Sequence, residues 1–175
     1  MKKAFTLIEL IVIMAIVAIF TTIIFVDYGK NNKVFALERS ARKLSQDIRR
    51  TQEMAMSGVA GETGTNGYGV YFNTGSSTSY LIYVNKDSNM SYVQGTDSDK
   101  ETIAMESAVK ICNLLVDSGS VNPVSVSFQP PDPINYINNV DSGHEASVVL
   151  CITGDESTTR TVKVNNVGRI EVTNP

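Results

Sequence analysis

The chain is poor in the residues that build catalytic and metal centres, with one histidine, two cysteines and only 19% charged residues in 175. A lone histidine, His144, excludes a His-rich metal centre, because such sites draw on several imidazoles. It sits in the loop-like stretch Asp141-Ser142-Gly143-His144-Glu145. There Asp141 and Glu145, with Asp132 upstream, read by default as solvated carboxylates, and a cation site built from them is the alternative. Neither a Gly-rich phosphate loop nor a nucleophile elbow occurs. A Ser/His/Asp set drawn from so Ser-rich a chain carries no weight without geometry. No catalytic residue, metal or cofactor is therefore expected, and the chain does not read as an enzyme. Repeats, heptad arrays and low-complexity tails are missing as well. A net charge of −3 argues against a domain whose main task is to coat nucleic acid, since that binding is driven by phosphate neutralisation.

What the chain does have is one long apolar run, Phe5 to Val26. Apart from Glu9, only Thr6, Thr21 and Thr22 are polar in it. Such a run can span a bilayer as a helix, which takes about 20 residues. A carboxylate inside it is costly, by roughly 2.5–3.5 kcal/mol on insertion scales for a central Asp. Either Glu9 reaches headgroup water from near the helix start, or it has a partner, and position alone leaves both open. Ile11 to Phe20 shows no apolar/polar period, so this helix is apolar all round and belongs in lipid or at the centre of an assembly. A secretory signal is a poor fit, because its apolar core is shorter and ends at a small-residue cleavage site. No lipobox-like cysteine follows the run, which argues against a lipoprotein. Lys2 and Lys3 precede it and no cation recurs until Lys30, which places the N-terminus in the cytoplasm and the body outside.

Lys2-Lys3-Ala4 followed by Phe5-Thr6-Leu7-Ile8-Glu9-Leu10 resembles the N-terminus of type IV pilins and type II secretion pseudopilins. The resemblance implies a leader, residues 1–4, cut by a prepilin peptidase between Ala4 and Phe5, followed by N-methylation of Phe5. It also implies that the new Phe5 amine faces Glu9 of a neighbouring subunit. Physically, an adjacent cation favours the ionised carboxylate, and breaking such a pair away from water leaves one charge uncompensated. Glu9 thereby becomes a register device for assembly. Losing Lys2 and Lys3 takes the side-chain charge from −3 to −5. The chain departs from the family pattern at Ala4, where Gly is usual, and at Ala18 and Val26, where many members carry Gly and Pro. A straighter helix is expected, with any weak point at Asp27-Tyr28-Gly29-Lys30-Asn31-Asn32, where Gly and paired Asn lower helix propensity.

Beyond Gly29, Leu37, Ala41, Leu44, Ile48 and Ala55 form one apolar helical stripe. Glu38 can pair with Arg42, and Asp47 with Arg50. Arg39, Arg42, Lys43, Arg49 and Arg50 read as a solvated helix face that could also pair with acidic groups of adjacent subunits. The pattern stops at Ser57-Gly58. From Tyr68 the texture is β: Tyr68–Phe72 and Tyr80–Val84 as a hairpin, Val109–Leu114, Val124–Phe128 ended by a Pro-rich stretch, Ser147–Ile152 with Arg160–Val164, and Arg169–Val172. Ser88–Glu101 reads as a polar surface loop. Tyr68, Tyr71, Tyr80 and Tyr83 read as cross-strand packing rather than a base-stacking platform. Cys112 and Cys151 lie in separate strands, and either a disulfide or two buried thiols fits.

The expected fold is α+β: a long N-terminal helix, with a transmembrane first half and an amphipathic second half, packed against a C-terminal antiparallel β-sheet domain. The expected divisions are leader 1–4, transmembrane or filament-core helix 5–26, amphipathic continuation 27–57 and extracytoplasmic β domain 58–175. The body also looks like the H-type pseudopilins and related minor pilins, in which Leu44, Ile48 and Ala55 would lie beneath two small antiparallel sheets. Some of those relatives end in a basic Gly-Arg tail implicated in DNA uptake. Here Gly168-Arg169 is followed by Ile170-Glu171 and an uncharged Val172-Thr173-Asn174-Pro175, so Arg169 is a thin basis for DNA contact. The resemblance implies a structural subunit, minor or major, of a type IV pilus-like filament or a secretion pseudopilus. Its partners would be copies of itself and other pilins or pseudopilins, prepilin peptidase, an inner-membrane assembly platform and the membrane. It would be a single-pass membrane protein first and part of an extracytoplasmic filament afterwards. The alternative is a filament-tip or surface module that binds DNA or a partner protein.

Overall fold

The computed structural model describes residues 6–57, 64–130 and 134–173, and for residues 23–30 the backbone only. One helix, α1 (Leu7–Met56), runs without interruption for 50 residues. It continues through Asp27–Asn32, the expected weak point, whose side chains as far as Lys30 lie outside the described residues. Ten strands follow: β1 (Gly67–Phe72), β2 (Ser79–Asn85), β3 (Ser98–Ala104), β4 (Val109–Val116), β5 (Gly119–Ser120), β6 (Val124–Gln129), β7 (Ile134–Ile137), β8 (Glu145–Ile152), β9 (Asp155–Asn165) and β10 (Ile170–Thr173). They form two antiparallel five-stranded sheets, ordered β3-β2-β1-β6-β7 and β10-β9-β8-β4-β5. The chain crosses between the sheets after β3, β5 and β7, so neither sheet is a separable segment of sequence.

The helix is two different objects along its length. In its second half Leu37, Ala41, Leu44, Ile48 and Ala55 are all buried, and they join one core with the inner faces of both sheets. Those faces are apolar in the alternating register a half-buried strand requires. Tyr68, Val70 and Phe72 of β1, Tyr80, Ile82 and Val84 of β2, and Val124, Val126 and Phe128 of β6 come from the first sheet. Val148, Leu150 and Ile152 of β8 and Val162 and Val164 of β9 come from the second. The helix thus lies beneath two antiparallel sheets.

Three local readings change. Ser98–Glu101 belongs to β3 rather than to a loop. It is an edge strand with only Ile103 buried, so its polar surface hides the strand pattern. The segment before it is not free surface either, because Met90 and Asp97 are buried. β7 pairs with β6 directly after the Pro-rich stretch, where no strand was expected. Its buried Asn135 breaks the apolar alternation that would have announced it. Finally, the tyrosines divide between faces. Tyr68 and Tyr80 enter the core between helix and sheet, whereas Tyr71 and Tyr83 form an outer cluster with Tyr92, with ring centroids 4.6 Å and 5.1 Å from it.

Candidate functional site

The start of α1 is built around Thr6 and Glu9. Thr6 is the N-cap: its Oγ1 accepts from the Glu9 backbone N–H at 3.3 Å, and its carbonyl receives the N–H groups of Glu9 and Leu10. Thr-x-x-Glu is the sequence of a capping box, in which the N3 carboxylate can return to the N-cap N–H. In the sequence this cap is masked by the apolar run around it, in which Glu9 stands out first as a misplaced charge. A carboxylate in the first turn also sits favourably against the positive end of the helix dipole. Ala4 and Phe5 lie outside the described residues.

From Leu7 to Thr22 the side chains face outward on every side, for example Leu7 at 77% and Phe20 at 63% exposure. The hydroxyls in this stretch are already satisfied by the helix itself. Thr21 donates to the Val17 carbonyl and Thr22 to the Ala18 carbonyl, each at 2.7 Å, a back-bonding that spares a helix unpaired polar groups in apolar surroundings. Glu9 is the one ionisable side chain in this stretch, and its carboxylate meets no cation among the described residues. Among the described residues no helical stretch is long and apolar enough to cross a membrane. The sequence run Phe5–Val26 extends past both ends of the stretch whose side chains are described.

Lower down, the helix is clamped to the sheets by the cations expected to face solvent. Arg39 grips the Glu106 carboxylate with two nitrogens, at 2.9 Å and 2.7 Å. Glu38 accepts from Arg42 at 3.0 Å and from Arg160 of β9 at 2.8 Å. Arg50 reaches Glu101 of β3 at 3.1 Å, not Asp47. Asp47 is taken instead by the Tyr80 hydroxyl at 2.5 Å. A partner fixed by the tertiary fold thus displaces the local i,i+3 pair. These bonds hold the carboxyls of Glu38 and Glu106 below the ordinary Glu range, through Arg160 then Arg42 in the first case and Arg39 in the second. Burial, then the bond to Asp47, pushes the Tyr80 phenol upward. The basic cluster therefore serves largely to join helix and sheet.

The other candidate residues are engaged within the chain. Cys112 is the extra residue of a bulge in β4, between Ile111 and Asn113. It lies beside Cys151 of β8 with the Cα atoms 5.9 Å apart, and the two are joined as a disulfide. Bonded sulfurs are not thiolate ligands, and the nearby Glu156 carboxylate accepts from Lys110 at 2.6 Å. The His144 ring contacts Asp117, whose carboxyl is held low by the Glu145 N–H and then by His144. Glu145 pairs with Lys163 at 2.7 Å. Asp132 lies outside the described residues. Arg169 follows Gly168, which adopts a positive φ of 83° where a side chain would crowd Asn135 and Gln52. The Arg169 guanidinium pairs with Glu171, which leaves it poorly placed to attract phosphate.

With this geometry in view, a family profile described as the prokaryotic N-terminal methylation motif matches residues 1–25. The chain carries a prepilin-type methylation motif. The motif includes the exposed stretch Leu7–Thr22, in which Glu9 is the lone charge. Over most of the chain the fold is similar to that of the minor pseudopilin EpsH from the type 2 secretion system of Vibrio cholerae. The TM-score is 0.51 at 10% identity, over 79% of this chain and 97% of that one. Two crystal forms of the type IV minor pilin FimU of Pseudomonas aeruginosa give TM-scores of 0.48 at 12% and 11% identity. They cover 78% and 83% of this chain and 92% of FimU in each case. The likeness of fold rests on the first of these. No curated protein sequence matches the chain.

Proposed function

We propose that this chain is a pilin- or pseudopilin-like structural subunit that assembles through the first half of α1. The observation that carries the reading is the exposed apolar half-helix, matched by the methylation motif and bearing Glu9 as its single charge. In this reading the bond between Ala4 and Phe5 is cut by a prepilin peptidase, and Phe5 becomes the methylated N-terminus. The apolar run is first held in the membrane with the β domain outside. It is then withdrawn into a bundle of like helices, where apolar packing is non-specific and supplies no register. The cost of an unpaired buried carboxylate does supply one, because a subunit is stable only where Glu9 meets an amine. The partners are other copies and other pilins or pseudopilins, with an inner-membrane platform for assembly.

The cap geometry suggests a sharper test than truncation of Glu9. Gln serves a capping box as Glu does, so Glu9→Gln keeps the helix start and removes only the charge. Its expected outcome is normal membrane insertion with loss of incorporation into filaments, measured by fractionation of sheared filaments. Normal incorporation would refute the register role and leave Glu9 as a cap. Mass spectrometry of the cellular protein is the companion measurement. An intact Met1 would rule out the processing.

A further inference from the structure

We propose that the outer face of the first sheet carries a binding groove for neutral saccharide units, independent of whether the chain is assembled into a filament. Register builds its floor: Tyr71 of β1 lies opposite Leu81 of β2, and Leu81 opposite Thr102 of β3, so the three share one row on one face. The segment between β2 and β3 folds back over this face and brings Tyr92 against Tyr71, forming one wall with Gln94 and Asp99. At the other end Asn73 donates to the Tyr71 hydroxyl at 3.2 Å and accepts from Gly75 N–H at 2.7 Å. The space enclosed is about 270 Å³, just under the ~300–1,000 Å³ of drug-sized sites, which suits one or two rings rather than a large cofactor.

Both walls are held before any ligand arrives. Buried Asp97 accepts from the N–H groups of Lys86 at 3.0 Å and Val93 at 2.7 Å, closing the overlying segment on itself. The Tyr92 N–H donates to the Ser125 hydroxyl at 3.1 Å, Met90 N–H to Asn139 at 2.8 Å, and the Ser127 hydroxyl to the Met90 carbonyl. The Tyr92 hydroxyl donates to Asp99 at 2.7 Å, which fixes the ring and turns the carboxylate toward the groove. Preorganisation of this kind reduces the ordering cost of binding.

The lining selects the ligand class. Among the described residues no Lys or Arg borders the groove, so phosphates and nucleic acids meet no counter-charge there. Asp99 is the one carboxylate among them, too few for a hard cation that takes six or more oxygens. Hydroxyls, amides and the Asp99 carboxylate are interleaved with two half-buried phenol rings, so the lining is mixed rather than apolar. A sugar ring presents an apolar C–H face for the tyrosines and a rim of hydroxyls that both donate and accept, and so satisfies both kinds of wall.

The test uses the full chain in a zwitterionic detergent without sugar headgroups, probed by saturation-transfer NMR with cellotetraose, maltotetraose and chitotetraose. Transfer to at least one of them is expected, weakened about tenfold by Tyr71→Ala through loss of a stacking ring. Thr102→Lys is the safer variant, since Thr102 is exposed on an edge strand and the longer side chain plugs the floor without touching the packed rings. It should give the same loss, while Tyr136→Ala, on the far edge strand of the same sheet, should give none. The proposal is overturned by absence of transfer to all three saccharides. Equal transfer in Thr102→Lys, or equal displacement by tetra-alanine, would overturn it too.

Discussion

Replacing Gly69 by alanine should cost stability because of one neighbouring ring. Gly69 lies opposite Tyr83 in the β1–β2 register, on the outer face. A β carbon there would stand 2.5 Å from Cζ of Tyr83 and 2.6 Å from both Cε1 and the hydroxyl oxygen. The ring cannot swing aside. Tyr83 is fully buried, its hydroxyl donates to the Met90 carbonyl at 3.3 Å, and Tyr92 packs edge-on against it. Overpacking of this kind costs about 1–3 kcal/mol, offset by the roughly 0.5–1 kcal/mol that alanine gains over glycine in backbone entropy. Contacts as short as 2.5 Å place the cost in the upper part of that range, about 2–3 kcal/mol, so the net loss is about 1–2.5 kcal/mol, or about 2–10 °C in Tm for a chain of this size. Near-UV circular dichroism of the tyrosines during heating, on the full chain in micelles, reads it. In a Tyr83→Ala background the same substitution should be neutral or stabilising, because the obstructing ring is gone and only the entropic gain remains. An equal loss in both backgrounds, or no loss in the parent, would refute the steric account.

Two further outcomes follow from the same geometry. Burial raises the phenols of Tyr80 and Tyr83 far above the ordinary value, and pushes Tyr92 up to about 12. The unfolded chain therefore loses these protons first, near pH ~10, so the contribution of these tyrosines to stability should be constant below that pH and fall as pH rises above it. A Tm titration should show this fall, and Tyr80→Phe with Tyr83→Phe should flatten it; an unchanged slope would contradict the assignment. Linking Cys112 to Cys151 closes a loop of sequence separation 39, so Cys112→Ala with Cys151→Ala should lower stability by about 3–4 kcal/mol on the chain-entropy account. If reducing agent leaves Tm unchanged, the two cysteines pack as thiols.

Features whose signal is periodic were legible in the sequence. Leu37, Ala41, Leu44, Ile48 and Ala55 repeat at helical spacing and are all buried, and the aromatic and β-branched runs became β1, β2, β4, β6 and β8. The remainder depends on partners distant in sequence. Arg50 pairs with Glu101 rather than Asp47, because Tyr80 brings a buried hydroxyl to Asp47 that local spacing cannot reveal. β3 escaped notice because an edge strand keeps one face in water and here buries only Ile103. The fit of Gly69 under Tyr83 and the folding of residues 86–97 onto the sheet are likewise products of register. The candidate site was half legible: the charge of Glu9 was plain, and its place in a Thr-x-x-Glu cap was equally available in four residues but was overlooked.

How the charges are used bears on where docking specificity can reside. Arg39, Arg42, Arg50, Arg160, Lys110, Lys163 and Arg169 each meet a carboxylate of the same chain. Exposed pairs of this kind contribute about 0–1 kcal/mol apiece; Arg39–Glu106, Arg50–Glu101 and Arg160–Glu38 orient the β body on the helix, and the other four lie within the helix or within the β body. Redirecting one toward a neighbouring subunit would first break a bond already made, and the gain would be a difference between two similar pairs. Glu9 is placed otherwise. No cation approaches its carboxylate among the described residues, and its surroundings are apolar side chains whose mutual packing is indifferent to register. Any partner that brings a positive charge to that level gains the whole interaction rather than a difference. Among the described residues most cations of the β body are engaged within the chain, so on the proposed reading discrimination between correct and slipped assembly falls to the one carboxylate at the start of the helix.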